Sequence, residues 1–132
     1  MAQQGRGFWL HQLVEYGIAA GLIMLSAQTS TPAPPAIVGA AMLLNAACTP
    51  GPLGAFRWFS RRAHRNLDWA IIVAAIVAAF VVEADQRARF AMVSVALVHA
   101  IVTLGTNFAG RAPKSGPSLA RRLGEASRRA RR

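Results

Sequence analysis

The sequence predicts an all-α integral membrane protein, a four-transmembrane-helix bundle whose internal similarity would make it two tandem helical hairpins. Three observations carry that prediction. Of the 132 residues, 54% are apolar and only 15% charged, a balance that favours lipid over water as solvent. The apolar residues fall in four runs of bilayer-spanning length, and the basic residues sit at one end of those runs.

The runs are Phe8 to Gln28, Pro35 to Phe56, Leu67 to Ala84 and Phe90 to Phe108, each near the roughly 17 to 25 residues that a membrane helix needs. The third is the shortest. In the second, Pro50, Gly51 and Pro52 remove backbone donors and should end or kink the helix around Thr49. A signal peptide is disfavoured for the first run, which is long for the apolar part of a leader and contains His11 and Glu15.

Arginine sets the orientation. Thr29 to Pro34 carries no charge, whereas Arg57, Arg61, Arg62 and Arg65 lie between the second and third runs. The third connection balances Glu83 and Asp85 against Arg87 and Arg89. The positive-inside rule therefore puts both termini in the cytoplasm of a plasma membrane. Trp9, Trp58 and Trp69 fall at the same ends, at the depth where indoles sit between headgroups and hydrocarbon.

Residues 1–110 form the expected membrane domain and residues 111–132 a basic, largely disordered cytoplasmic tail. That tail holds eight basic residues and Glu125, or +7 of the net +10. Arg121, Arg122, Arg128, Arg129, Arg131 and Arg132 are the residues expected to attract anionic lipid, at about 1 kcal/mol each near the surface. No nucleic-acid partner is expected, because the basic charge is tethered beside lipid headgroups. Arginine outnumbers lysine 14 to 1, the mark of GC-rich codons and hence of a bacterial source. Cys48 is the single cysteine, which excludes an intrachain disulfide and a cysteine-based metal cluster.

An internal similarity relates the two halves. At an offset of 54, Asn45, Thr49 and Gly51 match His99, Thr103 and Gly105, and at 53 Glu15-Tyr16 matches Asp68-Trp69. Such a duplication would have its axis along the membrane normal. Gly17 with Gly21, and Ala70 with Ala74 and Ala78, are small-residue stripes expected to let helices of the monomer approach closely.

Glu15 lies seven residues inside its run, roughly 10 Å along the axis. A carboxylate at that depth is costly, at about 2.5 to 3.5 kcal/mol on insertion scales, so it should face the bundle. His11 is one turn away on the same face. With Asn45, Thr49, His99 and Thr103 these two make a candidate buried polar cluster. Asp68 is expected to cap the third helix at the interface, and His64 to be solvated. No metal site and no cofactor is predicted: the sequence has no phosphate loop, no His-Glu-x-x-His and no nucleophile elbow. His11 and His99 leave only a weak bis-histidine haem option.

The functional expectation is a small non-enzymatic membrane protein, an accessory or scaffolding subunit that packs against a larger partner or against itself. The alternative is a proton-coupled small-molecule exporter using Glu15. In span number, size and a first-helix glutamate the chain resembles the small multidrug resistance transporters, in layout only. Val14-Glu15-Tyr16 and the arginine-rich loops depart from that family's local motif and weak charge bias.

Overall fold

The computed structural model describes residues 7–108 and contains four helices among them: α1 (Phe8–Ser26), α2 (Ala33–Ala47), α3 (Arg61–Val81) and α4 (Gln86–Gly105). The basic tail expected over 111–132 lies outside the described residues. By length and composition α1, α3 and α4 are long and apolar enough to cross a membrane, while α2 is a shorter apolar helix.

Each boundary has a local cause. Prolines in the first turn start α2, where a missing N–H goes unused. Ser60 caps α3 by accepting from Ala63 N at 3.1 Å, and Asp85 caps α4 by accepting from Ala88 N at 2.8 Å. The capping role expected of Asp68 therefore belongs to Ser60, and α3 begins at Arg61, six residues before the apolar run. Those extra turns are amphipathic, with His64 and Asp68 inward and Arg62, Arg65 and Asn66 outward, a pattern that a search for uninterrupted apolar residues passes over.

The second run also differs. Its helix stops at Ala47, and residues 48–59 fold back over its end, with Phe56 N donating to Ala47 O at 2.8 Å and Trp58 N to Cys48 O at 3.0 Å. Gln12, fully buried in α1, serves that end. Its Nε2 donates to Ala46 O at 3.2 Å and Thr49 O at 3.3 Å, and its Oε1 accepts from Leu53 N at 3.4 Å. Helix ends leave carbonyls without intrahelical partners, and here a neighbouring helix supplies the donor. A Cβ at Gly51 would overlap the Gln12 amide and push it off these partners.

Helix α1 packs mainly on α2 and α3 mainly on α4, whereas the backbones of α1 and α3 do not touch and face one another diagonally across the bundle. The hairpins share one burial register. In α1 the inward positions His11, Glu15, Ala19, Leu22 and Ser26 correspond at offset 53 to His64, Asp68, Ile72, Ala75 and Ala79 in α3. Val38, Met42 and Asn45 in α2, with Thr49 just beyond its end, correspond at offset 54 to Met92, Ala96, His99 and Thr103 in α4. An apolar layer of Ala19, Leu22, Met42, Ile72, Ala75, Met92 and Ala96 fills one half of the bundle.

Of the small-residue stripes only Ala78 packs against this layer. Nothing lies within 4 Å of a Cβ added at Gly17 or Gly21, and Ala70 and Ala74 are exposed. The close approach is at Gly39, where a Cβ would stand 2.9 Å from Ala19 O. The other half of the bundle is polar inside, while Met24, Ile37, Leu44, Phe80, Phe90, Ile101 and Leu104 are exposed outside. At the end remote from the polar half, Asp85 ties the two hairpins together. Its Oδ2 accepts from Ser30 N at 2.6 Å and Ser30 Oγ at 2.8 Å, and its own N–H donates to Thr31 Oγ1 at 2.9 Å.

Candidate metal centre

In the polar half, α1 presents His11 and Glu15 one turn apart, and α3 presents His64 and Asp68 with the same spacing from the opposite corner. Spacing of i and i+4 puts both members of each pair on one helix face. Helix α4 adds His99 from the side. All five side chains are buried, none more than 1% exposed.

The three imidazole Nε2 atoms converge on the two carboxylates. His11 Nε2 is 3.5 Å from Glu15 Oε2 and 3.2 Å from Asp68 Oδ2, and His64 Nε2 is 3.1 and 3.6 Å from the same two oxygens. His99 Nε2 is 3.3 Å from Glu15 Oε1 and 3.6 Å from Asp68 Oδ1. Yet none of the three Nε2 atoms, and neither Glu15 oxygen, makes a directed hydrogen bond. The ring nitrogens pass the oxygens by. Buried polar groups are rarely left in that state without a reason.

The far side of two rings fixes what the near side carries. Thr49 Oγ1 donates its only proton to Asn45 O at 2.8 Å, so at 2.9 Å from His64 Nδ1 it accepts, and Nδ1 bears the hydrogen. The Asn45 carbonyl, 3.3 Å from the same nitrogen, requires the same tautomer. Thr106 repeats the arrangement, donating to Val102 O at 2.6 Å and accepting from His11 Nδ1 at 3.0 Å. With Nδ1 as the donor on that side, His11 and His64 direct at the carboxylates an Nε2 lone pair in their neutral form and an Nε2–H in their protonated form. Lone pairs facing anionic oxygens at that range repel unless a cation, whether a proton or a metal ion, stands between them.

The donor set suits a metal ion. Ligand atoms of His11, Glu15, His64 and Asp68 all lie within 4.8 Å of one another. Donors held at about 2.0 to 2.1 Å around a tetrahedral ion are roughly 3.3 Å apart, in the middle of the separations above. Two carboxylates and two neutral imidazoles also balance one divalent charge. Orientation of the rings by a second hydrogen bond through Nδ1 is the usual support for metal-ligating histidine.

The surroundings exclude water on the side of the helix ends. Phe108 lies edge-on to His11 at 5.1 Å, Phe8 stacks on His11 at 5.9 Å, and the Arg61 guanidinium covers the Phe8 ring at 4.7 Å. Asn45 Nδ2 donates to Asp68 Oδ1 at 2.7 Å and to the His64 carbonyl at 3.3 Å, which locks α2 to α3 beside the acids.

The structure thus brings Glu15, His11 and His99 into one cluster, puts Asn45 and Thr49 around it as hydrogen-bonding supports, and buries Thr103 with a hydroxyl that has no hydrogen-bond partner. His64 and Asp68 are not solvated or interfacial but fully buried members of the same cluster. Their signal was present in the sequence. The offset of 53 that pairs Glu15-Tyr16 with Asp68-Trp69 also pairs His11 with His64. No family model, curated protein or solved structure matches this chain.

Proposed function

We propose that the protein is a small integral membrane subunit that holds a divalent first-row transition-metal ion inside its helical bundle, with His11, Glu15, His64 and Asp68 as ligands. The observation that carries this reading is the convergence of two Nε2 atoms and two carboxylates, all buried and without directed hydrogen bonds among themselves. Imidazole with carboxylate is a donor set for zinc, iron, manganese, cobalt or copper and a poor one for calcium or magnesium. When bound, such an ion supplies a compact positive charge and, for iron, manganese or copper, a redox couple. The chain's own contribution is to hold the two imidazoles in one tautomer through Thr49 and Thr106, and to close the site with Phe8 and Phe108.

The membrane reading rests on α1, α3 and α4, on the exposed apolar belt and on polar groups turned inward. In this reading α2 and the folded segment after it complete a fourth crossing, supported by Gln12, which satisfies backbone groups that lipid would leave unpaired. The metal-binding end carries Arg57, Arg61, Arg62 and Arg65, so it faces the cytoplasm. The matched registers support descent from one duplicated hairpin. A non-enzymatic accessory role in a larger assembly fits a chain with short loops and a buried centre.

The proton-coupled exporter is the weaker reading, because Glu15 stands between His64 and His99 at 3.1 and 3.3 Å rather than against a solute-sized space. Metal analysis tests the assignment: protein purified in mild detergent without chelators should carry or take up at least one ion per chain. Asp68→Asn, which keeps volume and hydrogen bonding, should lower that content while leaving the helical signal unchanged. Protein that neither carries nor binds Zn2+, Co2+ or Mn2+ would refute it.

A further inference from the structure

Each carboxylate in the cluster turns one oxygen toward one set of partners and its second oxygen toward another. Glu15 Oε2 and Asp68 Oδ2 face His11 and His64, whereas Glu15 Oε1 and Asp68 Oδ1 face His99, at 3.3 and 3.6 Å. From this we infer that the bundle holds a second cation, on the His99 side of the carboxylate pair, so that Glu15 and Asp68 bridge two ions. The inference rests on the metal-binding reading above.

Four buried atoms without hydrogen-bond partners support a second position. His99 Nε2 is buried and without a hydrogen-bond partner, as is Glu15 Oε1. Thr103, one turn further along α4, is 3% exposed and its Oγ1 also lacks a partner, as does Asn45 Oδ1 across the bundle. These are neutral oxygens of the kind that complete a coordination shell alongside water. The register relation between the hairpins explains why there is one such side and not two: the α2 position equivalent to His99 is Asn45, whose amide nitrogen, a donor and no metal ligand, is committed to Asp68 and the His64 carbonyl.

Charge sets a condition. Two divalent ions exceed the two carboxylates by two positive charges, so the second ion must arrive with hydroxide or another small anion. A cavity of about 280 Å³ between α3 and α4, lined by Arg65, Asn66, Trp69, Thr103 and Thr106 among others, reaches the Thr103 side of the cluster. It gives solvent and small anions a route, and Arg65 gives its mouth a positive charge. The first position, behind Phe8 and Phe108, has no equivalent need.

The experiment is a titration of the chelator-stripped full-length protein in detergent with Mn2+, read by bound metal per chain and by electron paramagnetic resonance. Wild type should bind two ions, with the exchange-coupled spectrum of a carboxylate-bridged pair. His99→Asn, which copies the residue at the equivalent α2 position, should bind one ion and give the six-line spectrum of isolated Mn2+. One ion per chain and an uncoupled spectrum in wild type would overturn the second position while leaving the first intact. Two ions retained in His99→Asn would overturn the role of His99. Failure of wild type to bind any ion would overturn this inference together with the reading it rests on. The wild-type spectrum decides between one ion and two even if the variant does not fold.

Discussion

Replacing Gln12 with Leu should destabilise the bundle more than any change at the lipid-facing surface. The side chain is fully buried and serves three backbone groups near the end of α2, at 3.2, 3.3 and 3.4 Å. Not all three losses weigh equally. Ala46 O keeps the Cys48 amide as a donor, so Leu would orphan chiefly Thr49 O and Leu53 N. At about 1 to 3 kcal/mol for each buried unsatisfied group, and allowing for the cheaper burial of an apolar side chain, the net loss is about 2 to 4 kcal/mol. Gln12→Glu should be worse at neutral pH, because an acceptor-only carboxylate would face the same two carbonyls. The measurement is thermal unfolding in one detergent, with circular dichroism at several scan rates to separate equilibrium from kinetic effects. Equal transition temperatures for wild type and Gln12→Leu would refute the claim that a side chain from α1 satisfies the end of α2.

Gly39→Leu should separate α1 from α2, since even a Cβ would be 2.9 Å from Ala19 O; overpacking of this kind typically loses about 1 to 3 kcal/mol, whereas Gly17→Ala and Gly21→Ala, with open space around them, should be neutral or slightly stabilising in the same unfolding assay. Asp85 is held down to about 2 by the Ala88 amide and by Ser30. A depressed folded value means that its contribution is complete above about pH 4 and fades as pH falls through about 2. Asp85→Asn should therefore lower stability at neutral pH and flatten the profile across that window, the two proteins converging as pH falls toward 2. In a Cys48→Ala background, a cysteine at Ala33 should react with an impermeant thiol reagent in intact cells and one at Ser60 should not; the reverse pattern would invert the proposed topology.

How much of this was legible in the sequence depends on what kind of signal each element carries. The apolar runs located α1 and α4 closely, because the inward polar residues, such as His11, Gln12 and Glu15 in α1, are set among apolar ones and do not interrupt the run. The N-terminal turns of α3 were missed for the opposite reason. There the residues facing in are His64 and Asp68 and those facing out include Arg62 and Arg65, so hydropathy reads a polar loop where the fold has a helix. The end of α2 was foreseeable at Pro50, but the way residues 48–59 return to Cys48 and Ala47 depends on Gln12, a long-range partner that no local rule identifies. Glu15 and His11 stood out as polar residues inside an apolar run. Their equivalents in α3 did not, since among arginines a histidine and an aspartate look like ordinary surface. Only the repeat exposes them: once Glu15 is aligned with Asp68, His11 falls on His64. Gly17 and Gly21 show the converse error, a familiar small-residue motif whose face has no neighbour among the described residues.

The most direct test of a metal ion in the bundle is to locate it, by anomalous diffraction from crystals of the full-length protein grown with Zn2+ or Co2+. An anomalous peak is expected between α1 and α3, bonded to His11 Nε2 and His64 Nε2 at about 2.0 to 2.1 Å and to a carboxylate oxygen of Glu15 and of Asp68. Ordered crystals with anomalous peaks only at surface residues, and with the His11 and His64 rings hydrogen-bonded directly to Glu15 and Asp68, would contradict it.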